Sequence, residues 1–428
     1  MNNESDLEMT DQLDLFSLET QTSQEEYVAA LPHIQTRPVG DVMGVPALSL
    51  DIPFTITELS YLTHNFYRYY GKYPSVLGGY LVDKYATNDV VFDNYLGCGT
   101  TLVEAIIRGK KASGVDVNPL AVLACNVKTR RYDERIISEY LASILSDAKA
   151  DNGQIRDAVP NWKALSKWFS EGAVAKLCSL AQAILLRPLG VNRDYAVLCF
   201  LSIVRRCSNA YDGEVRPHVN PSKKPRDVFD AFADKAKDMA KRSRQLASIV
   251  RLNDQAKAFC ASNTEDNLTR YMPFGQPSLV VSHPPYLNCF NYYAVFSLEN
   301  QWSHCFPEAR MGVEERWILD SEHKCWPATD ETIMKSYFAS LASTYTSLRK
   351  SINPGSTLAV VIGDATMNKE LIPVHKHLIE MLPGCGYQPI EVLYRTTHYG
   401  IGKYAYRSRA DYHGGAEKKD GVVVARAV

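Results

Sequence analysis

The chain has 428 residues, 46% of them hydrophobic and 22% charged, with a formal net charge of −1. That length suits one large domain with an insertion, or two domains, and the apolar content excludes a wholly disordered chain. No apolar run reaches the roughly 18 residues of a membrane helix, and the polar, acidic N-terminus shows no signal-peptide pattern. Ten cysteines are scattered without a C-x-x-C, and none of the ten histidines falls in an H-E-x-x-H. Reduced thiols, a cytoplasmic location, no metal and no membrane contact are therefore expected.

Residues 1–36 carry eight acids and no Lys or Arg, so −8 against +7 on the remainder. An acidic, mobile tail over 1–40 is expected, with a short helix around Leu13 to Leu18. A modestly basic body fits a nucleic-acid partner. Pro38, Pro46 and Pro53 mark 37–56 as an extended connector. The stretch Thr63 to Pro74 is dense in aromatics, which either pack a core or wall a ligand pocket. A helix over Ser75 to Tyr85 follows.

Val90 to Pro119 is the stretch around which the rest is organised. Val90 to Phe92 suits a buried parallel strand. Asp93 to Thr101 is a glycine-bearing turn, Leu102 to Lys110 has helical periodicity, and Ala112 to Val115 is a second small apolar strand closed by Asp116. Strand, turn, helix, strand and acid form a nucleotide-type βαβ unit. Gly97 and Gly99 let backbone approach a ligand, and Asp116 is placed to bind ribose hydroxyls. Leu102 stands where a dinucleotide fingerprint needs its third glycine.

After a helix over Ala121 to Thr129 the α/β rhythm stops. Residues 130–255 read as a helical insertion, with Ile137, Leu141, Ile144, Leu145 and Ala148 at helical spacing, and Val228, Phe232, Ala236, Met239 and Ala240 likewise. Residues 200–251 hold twelve Lys/Arg against six acids. Arg205, Arg206, Arg216, Lys223, Lys224 and Arg226 read as a solvated face singly, or as a phosphate-binding surface together. Strands then follow at Ala256 to Cys260, Leu279 to Val281, Leu358 to Ile362, Pro389 to Tyr394 and Val422 to Ala425. Helices cover Ile333 to Ile352 and Leu371 to Leu382. Residues 304–330 read as an irregular lid, and 395–419 as a basic loop.

His283-Pro284-Pro285-Tyr286 directly follows a buried strand. Two prolines fix φ and remove two N–H donors. The result is a rigid turn presenting carbonyls, a side chain at 283 and an aromatic at 286, which suits the exocyclic amino group of a flat base.

Together these two motifs resemble the S-adenosyl-L-methionine-dependent DNA amino-methyltransferases, which methylate cytosine N4 or adenine N6. The family's Phe-x-Gly-x-Gly matches Tyr95 to Gly99, and its preceding Asp-Pro matches Asp93-Asn94. Its acid matches Asp116, its (Asp/Asn/Ser)-Pro-Pro-(Tyr/Phe) matches His283 to Tyr286, and its lysine-aromatic-proline matches Lys72-Tyr73-Pro74. Leu287-Asn288 and Ser297-Leu298-Glu299 look like the cytosine-N4 branch. The resemblance covers roughly 60–130 and 256–428. It implies a Rossmann-like class I methyltransferase sheet made of a first part (41–129) and a second part (256–428); the helical insertion between them (130–255), a candidate DNA-recognition region by its charge and size, and the acidic tail (1–40) lie outside the resemblance. It further implies cofactor contacts from Lys72, Tyr73, Pro74, Asp93, Tyr95, Gly97, Cys98, Gly99, Thr100, Thr101, Asp116 and Asn263. His283, Pro284, Pro285 and Tyr286 would form the catalytic turn, with Tyr286 stacked on the target base. Double-stranded DNA is the implied partner, with a cognate restriction endonuclease or defence-system subunits beside it. His283 departs from the pattern. Only neutral imidazole accepts a hydrogen bond; an unperturbed pKa is near 6.5, which would give an acid limb in activity, and burial in the turn would lower it.

Overall fold

A computed structural model describes residues 23–52, 54, 58–151, 160–287, 291–312, 330–367, 370–396 and 420–428. The expected helix at Leu13 to Leu18, most of the lid at 304–330 and nearly all of the 395–419 loop lie outside those residues.

Nine strands form the main sheet of the described chain. They are β1 (Gln35–Val42), β2 (Val45–Asp51), β3 (Val90–Asp93), β4 (Lys111–Asp116), β5 (Ala256–Cys260), β6 (Leu279–Ser282), β7 (Thr357–Gly363), β10 (Tyr387–Thr396) and β11 (Asp420–Ala427), while β8 (Ala365–Met367) and β9 (Glu370–Ile372) pair separately. The order is β1-β2-β10-β11-β7-β6-β3-β4-β5. Strands β5, β4, β3, β6 and β7 are mutually parallel, and β11 runs antiparallel between β7 and β10. The central strands β6 and β7 are buried throughout, and Val91, Phe92 and Asp93 of β3 are buried too. Unbroken apolar runs of this kind belong to a sheet covered on both faces. The expected Rossmann-like α/β sheet is what the chain forms.

Helix α1 (Gln24–Ala30) corrects the tail expected to reach residue 40. Ser23 and Glu26 cap it reciprocally, and buried Tyr27 clusters with Leu62, Val103, Ile106 and Leu246. A capping box with one apolar anchor outweighs the acidic composition. The connector is corrected too. It is the β1–β2 hairpin, whose inner strand joins β10 in parallel through pairs such as Ala47↔Val392 and Leu48↔Leu393. Pro38 is accommodated because β1 is an exposed edge.

Around the first βαβ unit lie α2 (Ser75–Tyr85), α3 (Thr100–Ile107) and α4 (Pro119–Lys128). The insertion between β4 and β5 comprises α5 (Glu134–Asp151), α6 (Leu165–Trp168), α7 (Glu171–Leu185), α8 (Val191–Ile203) and α9 (Val228–Ile249). Its core is continuous with Phe66 and Tyr67 and with the helices after β6, α10 (Tyr292–Val295) and α11 (Ser297–Ser303). Trp302 seals that junction, edge-on to Phe169 and Phe200 with centroids 5.8 Å away. The last two helices are α12 (Asp330–Ser351) and α13 (Val374–Met381). Pro373 starts α13 later than the sequence periodicity implies, leaving Leu371 in β9.

Candidate active site at the strand ends

The glycine turn is built by backbone that other residues adopt poorly. Gly97 and Gly99 have φ of 48° and 76°, in the left-handed region. A Cβ at Gly99 would lie 2.8 Å from Cys125 Sγ on α4. Asp116, closing β4, reaches back across the turn. Its Oδ2 accepts from Gly97 N and its Oδ1 from Asn118 N, each at 2.8 Å. Burial pushes the Asp116 carboxyl up to about 6, against the pull of those two donors.

Asp93 works beneath the same turn. It accepts from Tyr95 N at 2.9 Å and from the Thr101 hydroxyl, whose oxygen in turn meets Tyr73 Oη at 2.6 Å. Burial pushes Asp93 up to about 7, with opposition from Thr101 and Tyr95. The aromatic stretch is pinned from behind by Glu104 on α3, which meets Tyr61 Oη at 2.6 Å and His64 Nε2 at 2.7 Å. Both readings of that stretch hold in part: Phe66 and Tyr67 are core, while Tyr69, Lys72 and Tyr73 face a cavity.

The cavity has a volume of about 610 Å³ and opens at the carboxyl ends of the parallel strands. Lys72, Tyr73, Tyr95, Gly97, Cys98, Thr100, Asp116 and Asn263 line it, together with His283 and Pro285 of the second motif. The two motifs, some 190 residues apart in sequence, thus share one chamber. Pro74, Asp93, Gly99 and Thr101 stand behind the wall, as supports for the turn and for α2. Asn94, Tyr69, Tyr292, Ser340 and Thr344 also line it, and of these Tyr292, Ser340 and Thr344 escaped the sequence reading. Asn94 carried a signal from its place in the glycine turn, and Tyr69 from the aromatic stretch.

His283 stands edge-on to Tyr73 and to Tyr286, with centroids 5.2 Å and 5.4 Å away. Burial, with the Arg395 positive charge second, pushes its imidazole down to about 3. The expected acid limb in activity is thereby corrected: with its pKa lowered by burial, His283 is neutral throughout the working range and keeps its capacity to accept. Tyr286 is corrected as well. Its ring does not reach the cavity wall but lies on Gly363, where a Cβ would come within 2.6 Å of it, and its hydroxyl donates to Asp420 Oδ1 at 3.0 Å. Tyr337 on α12 donates to the Pro285 carbonyl at 2.9 Å, and Pro284, expected in the catalytic turn, is buried and is not among the residues lining the cavity.

The basic cluster divides. Arg205 is 4% exposed and donates to the carbonyls of Tyr211, Glu214 and Val215. Lys223 donates to the carbonyls of Arg205 and Ala210 and to Asp212. These two cations hold a loop together, so the phosphate role expected for them is corrected: backbone carbonyls take their donors. Arg226 pairs with Asp234 at 2.7 Å. Arg206, Arg216 and Lys224 are exposed. Tyr70 fastens this loop to the cavity wall by donating to the Glu214 carbonyl at 2.6 Å, and exposed Arg68 lies 4.7 Å over the Tyr70 ring.

No family model matches the chain. The type II methyltransferase M.MjaII of Methanocaldococcus jannaschii is 28% identical over 95 residues, 22% of this chain and 18% of that protein. The type II methyltransferase M.MvaI of Kocuria varians is 24% identical over 177 residues, 38% of each chain. The chain is similar to type II methyltransferases. It spans between about a fifth and two fifths of the length of these curated relatives. Among solved structures, the rRNA methyltransferase aviRa from Streptomyces viridochromogenes overlaps 68% of this chain and 74% of its own, at 10% identity and a TM-score of 0.26. That superposition is too loose to bear on function.

The residues present fit a nucleoside cofactor. The cavity is lined by the Asp116 carboxylate and by an amide, Asn94, whose buried side-chain oxygen and nitrogen have no partner among the described residues. A buried amide without partners is costly unless a ligand satisfies it.

Proposed function

We propose that the chain is a DNA methyltransferase acting on an exocyclic amino group, cytosine N4 first and adenine N6 second, with S-adenosylmethionine as methyl donor. The observation that carries this reading is the single cavity shared by the Asp116 glycine turn and the His283-Pro-Pro turn. Asp116 would take the ribose hydroxyls, Asn263, whose amide donates to the Asn94 carbonyl at 3.2 Å, would stand near the adenine with Asn94 beside it, and Lys72 and Tyr95 would border the methionine end. When bound, the cofactor supplies a methyl group on a sulfonium. The target base must leave the duplex to reach such a chamber. Neutral His283 would then accept from the base's amino group and aim the nitrogen lone pair, a contribution of orientation and electrostatics. Arg206, Arg216, Lys224 and Arg68 would meet phosphates around the mouth. A place beside a restriction endonuclease or in a defence system is the biological setting this reading suggests.

Transfer of labelled methyl groups to duplex DNA, run against single-stranded RNA, tests the proposal. Label in DNA as N4-methylcytosine is the expected result, and N6-methyladenine would select the second base. Label in RNA alone would overturn the DNA substrate. Cofactor binding with no transfer to either would point to a silent binding protein, the reading that a histidine at 283 otherwise invites.

A further inference from the structure

We propose that Asp420 and Arg395 are positioning residues that hold Tyr286, and through it the His283 turn, in register for reaction. The inference rests on the amino-methylation reading of the same site. Its basis is a row of cross-strand neighbours. Arg395 on β10 stands opposite Asp420 on β11, and Asp420 stands opposite Gly363 on β7. Residues directly opposite in a sheet present their side chains to the same face. The row therefore offers a cation, a carboxylate and a gap, side by side, at the end of the sheet where the cavity opens.

Tyr286 fills the gap. Its ring lies on Gly363, close enough that a Cβ there would come 2.6 Å from Cε2, and its hydroxyl reaches Asp420 Oδ1 at 3.0 Å. The other carboxylate oxygen of Asp420 pairs with Arg395. The Asp420 and Arg395 side chains are only 12% and 11% exposed, so the pair is little screened by water. His283 stands against the edge of the Tyr286 ring, so a ring fixed at both ends fixes the imidazole beside it. The arrangement also explains the hydroxyl. A ring without it would pack equally well on Gly363 but offer Asp420 Oδ1 no proton.

The test combines kinetics with a structure. Asp420→Ala is expected to lower kcat for methyl transfer to DNA at least tenfold, with cofactor affinity and KM for DNA within twofold of wild type. Asp420→Asn keeps an acceptor for the hydroxyl and is expected to recover most of kcat. Tyr286→Phe should lose about as much as Asp420→Ala, and the double variant no more than either. A kcat within twofold of wild type in Asp420→Ala, or losses that multiply in the double variant, would overturn the proposal. Should Asp420→Ala fail to fold, Tyr286→Phe, which removes one oxygen, carries the kinetic test alone. A crystal structure of the Asp420 variants reads the lock independently of activity. In a crystal structure of Asp420→Ala the Tyr286 ring is expected to be displaced, and a ring unmoved there overturns the lock. An inactive wild type with a displaced ring would refute the amino-methylation reading and leave the lock standing. An active wild type with an unaffected Asp420→Ala would do the reverse.

Discussion

At Asp116 a proton and a ribose hydroxyl would compete for the same two oxygens. Its carboxyl, raised to about 6 by burial, is ionised and accepting above that value and protonated below it. Cofactor affinity is therefore expected to fall as pH drops through about 6, and the limb belonging to Asp116 is the one that Asp116→Asn removes. Asp93, raised to about 7, contributes a separate step. At pH 8 the Asn variant should bind S-adenosylmethionine more weakly by about 1.5–3 kcal/mol, read by calorimetry; unchanged affinity would exclude Asp116 from the site. His283 behaves oppositely. With its pKa near 3, it should produce no acid limb above about pH 4, so wild type and His283→Asn should share one pH–rate profile there. His283→Ala should lose most turnover while binding cofactor normally, and full activity in that variant at saturating substrates would reduce His283 to packing. Both residues were legible in the sequence, because each closes a buried strand where chemistry collects. Their ionisation was not, because it depends on burial by the folded chain and, for His283, on the charge of Arg395, more than a hundred residues away.

Among the elements, the strands were the most readable. Buried parallel strands such as β3 and β6 are short apolar runs bounded by turn residues, and nothing else in the chain resembles them. The β1–β2 hairpin was missed because its prolines imitate a linker, and its partner β10 lies near the other end of the chain. Helix α1 was hidden by acidic surroundings. The insertion was recognised as helical from its periodicity, yet its attachment to the catalytic half was invisible. That attachment depends on Trp302, which follows the second motif but is buried against Phe169 and Phe200 from the insertion. Trp302→Ala is expected to cost about 3–5 kcal/mol of stability, measured by urea denaturation. A loss under about 1 kcal/mol would mean that the insertion and the sheet hold together without it.

Across the whole molecule, charge alone misled where geometry decides. Arg205 and Lys223 looked like the centre of a phosphate-binding patch and instead brace a loop with their donors. Replacing Arg206, Arg216 and Lys224 with glutamine should weaken binding to every DNA sequence and reduce the salt slope by about 0.9 for each phosphate left unneutralised. An unaltered slope would mark these cations as a solvated face. Arg205→Met should instead lower the unfolding midpoint. The sheet carries one more consequence, in time rather than space. Strand β2 pairs with β10, and Ala47 meets Val392. A ribosome adding about 5–20 residues per second needs roughly 17 to 70 seconds to cover that separation. Through that interval the inner hairpin strand, carrying Val45, Ala47 and Leu50, has no β10 to pair with, and its free edge is a template for the wrong partner. Chains stalled or cut before β10 should therefore associate through this hairpin, and a chaperone that shields extended apolar segments would find its client here.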